Sequence, residues 1–214
     1  MPEQIQNSTT RRGRPRSGER EERRARVLEA AFEELVESGY DGVTMLKIAK
    51  RAGASKETLY SWFGSRHGLF NAMITSNGEQ TAIRVREALA GDGDPAETLT
   101  GFCVGLLTLL TTNPGVALNR AAMNSPELAE MLLASGRHRV GPIVEEYLAT
   151  LDERGIIEVD DPSRAFTLLY GLAIRDSQIR VLLGEAPPPR QVVVAQAGSG
   201  VAAFLELTRP GRRG

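Results

Sequence analysis

The chain has 214 residues, 41% of them hydrophobic and 5% aromatic, and its 26 Lys and Arg nearly balance 27 Asp and Glu. A single cysteine, Cys103, excludes an intrachain disulfide and a cysteine-rich metal site, and with only His67 and His138 a histidine-held zinc or iron is not expected. The charge is uneven, because residues 1–70 hold 13 Lys or Arg against 10 Asp or Glu, a mildly basic head on an acidic body.

Residues 1–18 are polar, contain Pro and Gly and show no periodicity, so a disordered basic arm is expected there. Arg12 and Arg14 flank a glycine ahead of Pro15, and such an extended segment can enter the narrow minor groove of A·T-rich DNA. The plainer alternative is a solubilising tail with diffuse phosphate contacts. The arm has no apolar core of the signal-peptide kind, and apolar stretches such as 104–110 fall far short of the about 20 residues that cross a bilayer. A cytoplasmic protein with no membrane partner is predicted.

Leu28, Ala31, Phe32, Leu35 and Val36 recur at helical spacing between about Glu19 and Ser38, and Gly39 is a suitable stop. The next stretch, from Thr44 to Phe70, reads as a helix-turn-helix. Ile48, Ala49 and Ala52 give one short helix a buried side, Gly53 suits a tight turn, and Ser55 is placed to cap a second helix that buries Leu59 and Phe63. Such a unit lays its second helix in the major groove of double-stranded DNA. Lys56, Glu57 and Thr58 stand at the groove-entering end, where Lys56 can pair with guanine, Glu57 with cytosine N4 and Thr58 with a thymine methyl. Glu57 serves equally well as an electrostatic aid to the helix start. Thr44 and Lys47 begin the first helix of the pair and are placed to meet the DNA backbone.

Ser65 should open a long helix reaching about Leu89, and Asp94-Pro95, Asn113-Pro114, Ser125-Pro126 and Asp161-Pro162 each pair a capping residue with a helix-starting proline. No segment alternates like a half-buried strand, so the expected fold is all-α. Domains are expected at 19–70 for DNA binding and 71–208 for a helical regulatory part, with a basic tail at 209–214. Between Ala165 and Ile174 nearly every face is apolar, and Val194, Ala197, Val201 and Phe204 repeat at spacings of three and four. Two such helices per subunit would form a four-helix bundle in a homodimer, with those four residues at the interface; burial within one subunit is the alternative. No nucleophile, base and orienting group can be assembled from the spacing, so neither catalysis nor a cofactor is expected.

Thr44, Ile48-Ala49, Ala52-Gly53, Ser55, Thr58-Leu59-Tyr60, Phe63, a basic residue at 66 and Leu69 together resemble the DNA-binding domain of TetR-type transcriptional regulators, from about Arg24 to Met73. The C-terminal part is reminiscent of AefR-like and AcrR-like regulatory domains. Three positions depart from the usual pattern, with Trp at 62, Arg at 66 and His at 67. The resemblance implies an all-α homodimer that binds a palindromic operator and a small-molecule effector. It also implies phosphate contacts for Tyr60, Trp62 and Arg66, although core packing is an alternative for Trp62. A mostly apolar pocket is implied, for which Phe102, Cys103, Leu106, Leu107, Met123, Tyr147, Phe166 and Tyr170 offer lining and Arg175 a charge for an anionic ligand group or an acidic partner. The leading reading is a repressor released from its operator by an apolar or amphipathic ligand. The alternative is an architectural DNA-binding protein without a ligand.

Overall fold

The computed structural model describes residues 17–91 and 93–211, and among these the chain is helical with no strand. Arg12 and Arg14 lie outside the described residues. In chain order the helices are α1 (Ser17–Gly42), α2 (Met45–Ala52), α3 (Lys56–Phe63), α4 (Arg66–Leu89), α5 (Pro95–Thr111), α6 (Asn113–Met123), α7 (Pro126–Ser135), α8 (Arg137–Glu153), α9 (Pro162–Ile174), α10 (Ser177–Leu182) and α11 (Arg190–Leu207). Gly39, at φ 66°, interrupts α1 where the sequence places its end.

Capping explains most of the helix starts. Asp94, Ser125 and Asp161 accept hydrogen bonds from the N–H groups of Glu97, Leu128 and Ser163, and each is followed by proline. The start at Asn113 differs. Helix α6 begins one residue early, and Thr112 both ends α5 and begins α6 without a side-chain cap. A single-residue corner leaves no room for a separate capping residue, and the two helices diverge there by 60°.

Two main cores are joined by one helix. Val27, Leu35, Ile48, Leu59, Leu69 and Phe70 close the first, and Ala121, Ala122 and Leu128 of α6 and α7 extend it. The second is built from α5, α8, α9 and α11 around Leu99, Val144, Leu148, Leu169 and Phe204. Helix α4 supplies Met73 and Ile74 to the first core and Ala82 and Leu89 to the second. A shift of α4 must therefore disturb packing in both.

The outward face of α11 is not the one its apolar spacing suggested. Ala197, Val201 and Phe204 are buried in their own subunit's core, with Val201 only 1% exposed, so they are not available to a partner. Val194 alone of the four faces outward, at 43% exposure. Apolar spacing marks the buried side of a helix, and here α5 and α9 of the same subunit cover that side. Gly200 makes this possible, because a Cβ there would lie 2.7 Å from both the Ala173 Cα and the Leu172 carbonyl oxygen. The outward faces carry Leu168 and Gly171 on α9, and Val192, Val194, Ala195, Ser199 and Ala202 on α11.

Candidate nucleic-acid interface and regulatory interior

The helix-turn-helix is fixed by local hydrogen bonds. The Thr44 hydroxyl accepts from the Lys47 N–H at 3.2 Å, and the Ser55 hydroxyl accepts from the Thr58 N–H at 3.1 Å. Between them Gly53 adopts φ 62° and ψ 33°, a left-handed conformation that costs a β-carbon residue far more, and its N–H returns to α2. Fully buried Ile48 and Leu59 hold the two helices together.

That packing turns Lys56, Glu57 and Tyr60 outward and leaves Thr58 half-buried. The Lys56 ammonium lies 5.6 Å from the Tyr60 ring centroid. The Glu57 carboxyl is held below the usual carboxylate range by its own backbone N–H and then by the Ser55 side chain, so it is engaged at the helix start. Trp62 is half-buried and meets Phe63 edge-on, with ring centroids 6.3 Å apart.

Two basic residues bond within the domain. The Lys47 ammonium donates to the Gly42 carbonyl at 2.9 Å and the Ser38 hydroxyl at 3.3 Å, and pairs with buried Glu34 at 3.4 Å. These bonds tie α2 to α1, and the side chain stays half exposed. Arg66 is half-buried. Its Nη2 donates to the Tyr40 carbonyl, and its guanidinium stacks 4.1 Å over the Tyr40 ring and 5.7 Å from Phe70. Arg66→Ala should therefore lower stability by roughly 1–3 kcal/mol in thermal unfolding, through a lost hydrogen bond and lost cation–π contact. It should leave the salt dependence of DNA binding unchanged, and a reduced salt slope would restore the phosphate role.

The sequence did not expose the clasp around Arg51, which pairs with Glu33 at 3.3 Å, with Glu34 at 3.1 Å and with Glu37. Three carboxylates within five residues of α1 were the available signal. The Ser38 hydroxyl, opposed by burial and aided by Arg51 and Lys47, keeps the Glu34 carboxyl below its ordinary range.

Phe102, Cys103, Tyr147 and Phe166 sit together in the second core, with Phe102 and Phe166 ring centroids 6.2 Å apart. Leu107 belongs to a satellite cluster with Ile174 and Val193, and Leu106 and Tyr170 pack half-buried against both groups. Burial pushes the Cys103 thiol up to about 12, which makes it inert. Two expected lining residues lie elsewhere. Met123 is 63% exposed at the end of α6, because the turn into α7 carries it off the packed face. Arg175, at φ 51°, ends α9, points outward and donates to the Leu172 carbonyl and the Ser199 hydroxyl, each at 3.3 Å.

A half-buried polar chain is drawn from three helices. The Tyr170 hydroxyl donates to the Gln178 Oε1 at 3.1 Å, and the Gln178 Nε2 donates to the Asn119 Oδ1 at 3.4 Å. Arg137 stacks 4.2 Å over the Phe166 ring beside them. No spacing along the sequence links these positions.

Comparison with known proteins agrees with this geometry. Residues 27–73 match the family of bacterial regulatory proteins of the tetR type, and residues 97–207 match the C-terminal domain of AefR-like transcriptional repressors. The chain is 31% identical over 130 residues to the uncharacterized regulator YdeS of Bacillus subtilis, covering 61% of each chain. It is 36% identical to the transcriptional activator FasR of Mycolicibacterium smegmatis over 44% of its own length and 48% of the relative's. The alignments thus span between about half and three fifths of these relatives. The solved structure of the flavonoid-responsive regulator FrrA superposes with a TM-score of 0.68 at 26% identity, covering 89% of this chain and 99% of that one.

Proposed function

The chain belongs to the TetR family of bacterial regulatory proteins, and from that premise we propose that it is a dimeric transcriptional repressor which a small amphipathic molecule releases from a palindromic operator. The observation that carries the DNA-binding part is the capped α2–Gly53–α3 unit, which presents Lys56 and Tyr60 on an open face. Repression follows the match to an AefR-like repressor domain, and a ligand response follows the likeness to FrrA.

The effector would enter between α5, α8 and α9. Phe102, Leu106, Tyr147 and Phe166 would meet its apolar body, and the Tyr170–Gln178–Asn119 chain its polar end. Binding there would bias α4, whose two halves belong to the two cores, toward a spacing of recognition helices that no longer fits the half-sites. Two subunits would meet through the outward faces of α9 and α11, where Leu168, Gly171, Ala195 and Ala202 allow close approach.

Lys56→Ala should relax preference at one base pair per half-site, at a cost of about 1–3 kcal/mol against the best operator. Tyr60→Phe should instead weaken binding to all sequences alike, by roughly 1–2 kcal/mol for a hydrogen bond to a charged oxygen. Binding measured across an operator-variant panel separates them. Equal losses across the panel for Lys56→Ala would make it a phosphate contact and remove the base-reading role.

A further inference from the structure

Beside the recognition helix lies a cleft of about 400 Å³, walled on one side by Arg23 and Arg26 of α1 and on the other by Ser55, Thr58 and Trp62. The α2–α3 turn closes its end, and no acidic side chain lines it. Neither arginine makes an ion pair or hydrogen bond among the described residues, although Glu19 and Glu22 stand four residues before them, at the spacing of a helical ion pair. Arg51 on the same small domain shows the contrast, since three carboxylates neutralise it. The cleft therefore keeps two uncompensated positive charges beside two hydroxyls and an indole.

The geometry of the major groove says what would fill it. An α-helix with its side chains is about 10–12 Å across, and the groove is about 12 Å wide, so a helix seated there has a sugar–phosphate strand along each flank. On α3, Lys56 and Tyr60 lie on one side of buried Leu59, while Thr58 and Trp62 lie one turn apart on the other. With α3 so seated, the strand on the Thr58–Trp62 side would run past the mouth of the cleft.

We propose that Arg23 and Arg26 clamp backbone phosphates of the DNA strand on the Thr58–Trp62 flank of α3, with Trp62 forming the opposite wall. This contact rests on the DNA-binding reading above and adds to it a clamp contributed by α1, outside the helix-turn-helix. It fixes the depth and tilt of α3 in the groove without reading sequence.

The test uses the full chain and a fluorescently labelled mixed-sequence duplex, titrated between about 50 and 200 mM salt. Each phosphate contact contributes about 0.9 to the slope of log affinity against log salt. Arg23→Gln with Arg26→Gln should lower that slope by about 1–2, with an unchanged melting temperature. The Arg→Lys pair should restore it, because the clamp acts through charge. Trp62 is the only tryptophan, so its emission reports the cleft directly. Duplex should shield it from acrylamide in the wild type and less so in the Gln pair. An unchanged slope and unchanged shielding in a Gln pair whose wild type binds the duplex would overturn the clamp alone. If the wild type fails to bind any duplex, the DNA-binding reading falls and the clamp with it.

Discussion

Val201→Glu should collapse the second core. Val201 lies at 1% exposure among Leu99, Val144, Leu169 and Phe204, and none of these offers a partner for a carboxylate. An unpaired charge buried in such a place costs several kcal/mol, a large part of the roughly 5–15 kcal/mol that holds a typical domain together. The expected result is a protein that unfolds at a much lower temperature or is recovered only as aggregate. A variant that kept the wild-type melting temperature and sedimented as a monomer would place Val201 at a subunit interface, as its spacing along the sequence first suggested.

Leu168→Glu should separate the subunits while leaving each one folded. Leu168 is 40% exposed on the outward face of α9, one turn before Gly171, so the substitution meets water in the isolated subunit. In a two-fold dimer the same change places two like charges across the axis, where each loses water. Sedimentation should then show a monomer at micromolar concentration with an unaltered melting temperature. Operator affinity should fall by roughly 10²–10⁴-fold, because each half-site is then bound independently. A stable dimer with unchanged operator affinity would move the interface away from α9 and α11.

These two substitutions separate what the sequence could and could not reveal. Apolar spacing along α11 identified a buried seam, but spacing cannot say whether the covering helix comes from the same chain. The covering helices are α5 and α9 of the same subunit, and the closeness of α9 depends on Gly200. The helix-turn-helix was legible because its determinants are local. Thr44, Gly53 and Ser55 act on neighbours within a few residues, and the structure reproduces those caps. Asp94, Ser125 and Asp161 were readable for the same reason, whereas the α5–α6 corner at Thr112 depends on how two helices meet.

The internal bonds of Lys47 and Arg66 were hidden for a different reason. A basic residue near a recognition helix looks the same in sequence whether it faces phosphate or a carbonyl. Only the fold brings Gly42 and Ser38 to Lys47, and Tyr40 to Arg66. Arg175 was expected to meet either an anionic ligand group or an acidic partner, and it ends α9 facing outward. The polar chain from Tyr170 to Asn119 joins residues from α6, α9 and α10, and its members become neighbours only through tertiary packing.

Sequence-specific operator binding by a symmetric pair of recognition helices is the claim on which the rest depends. Selecting duplexes from a random pool with the purified chain, at a salt concentration that suppresses non-specific binding, tests it most directly. The account predicts an enriched site with two inverted half-sites at a fixed spacing, each recognised through the α3 end that carries Lys56. A pool that remains unenriched while the protein still binds DNA, or an enriched site without two-fold symmetry, would contradict it.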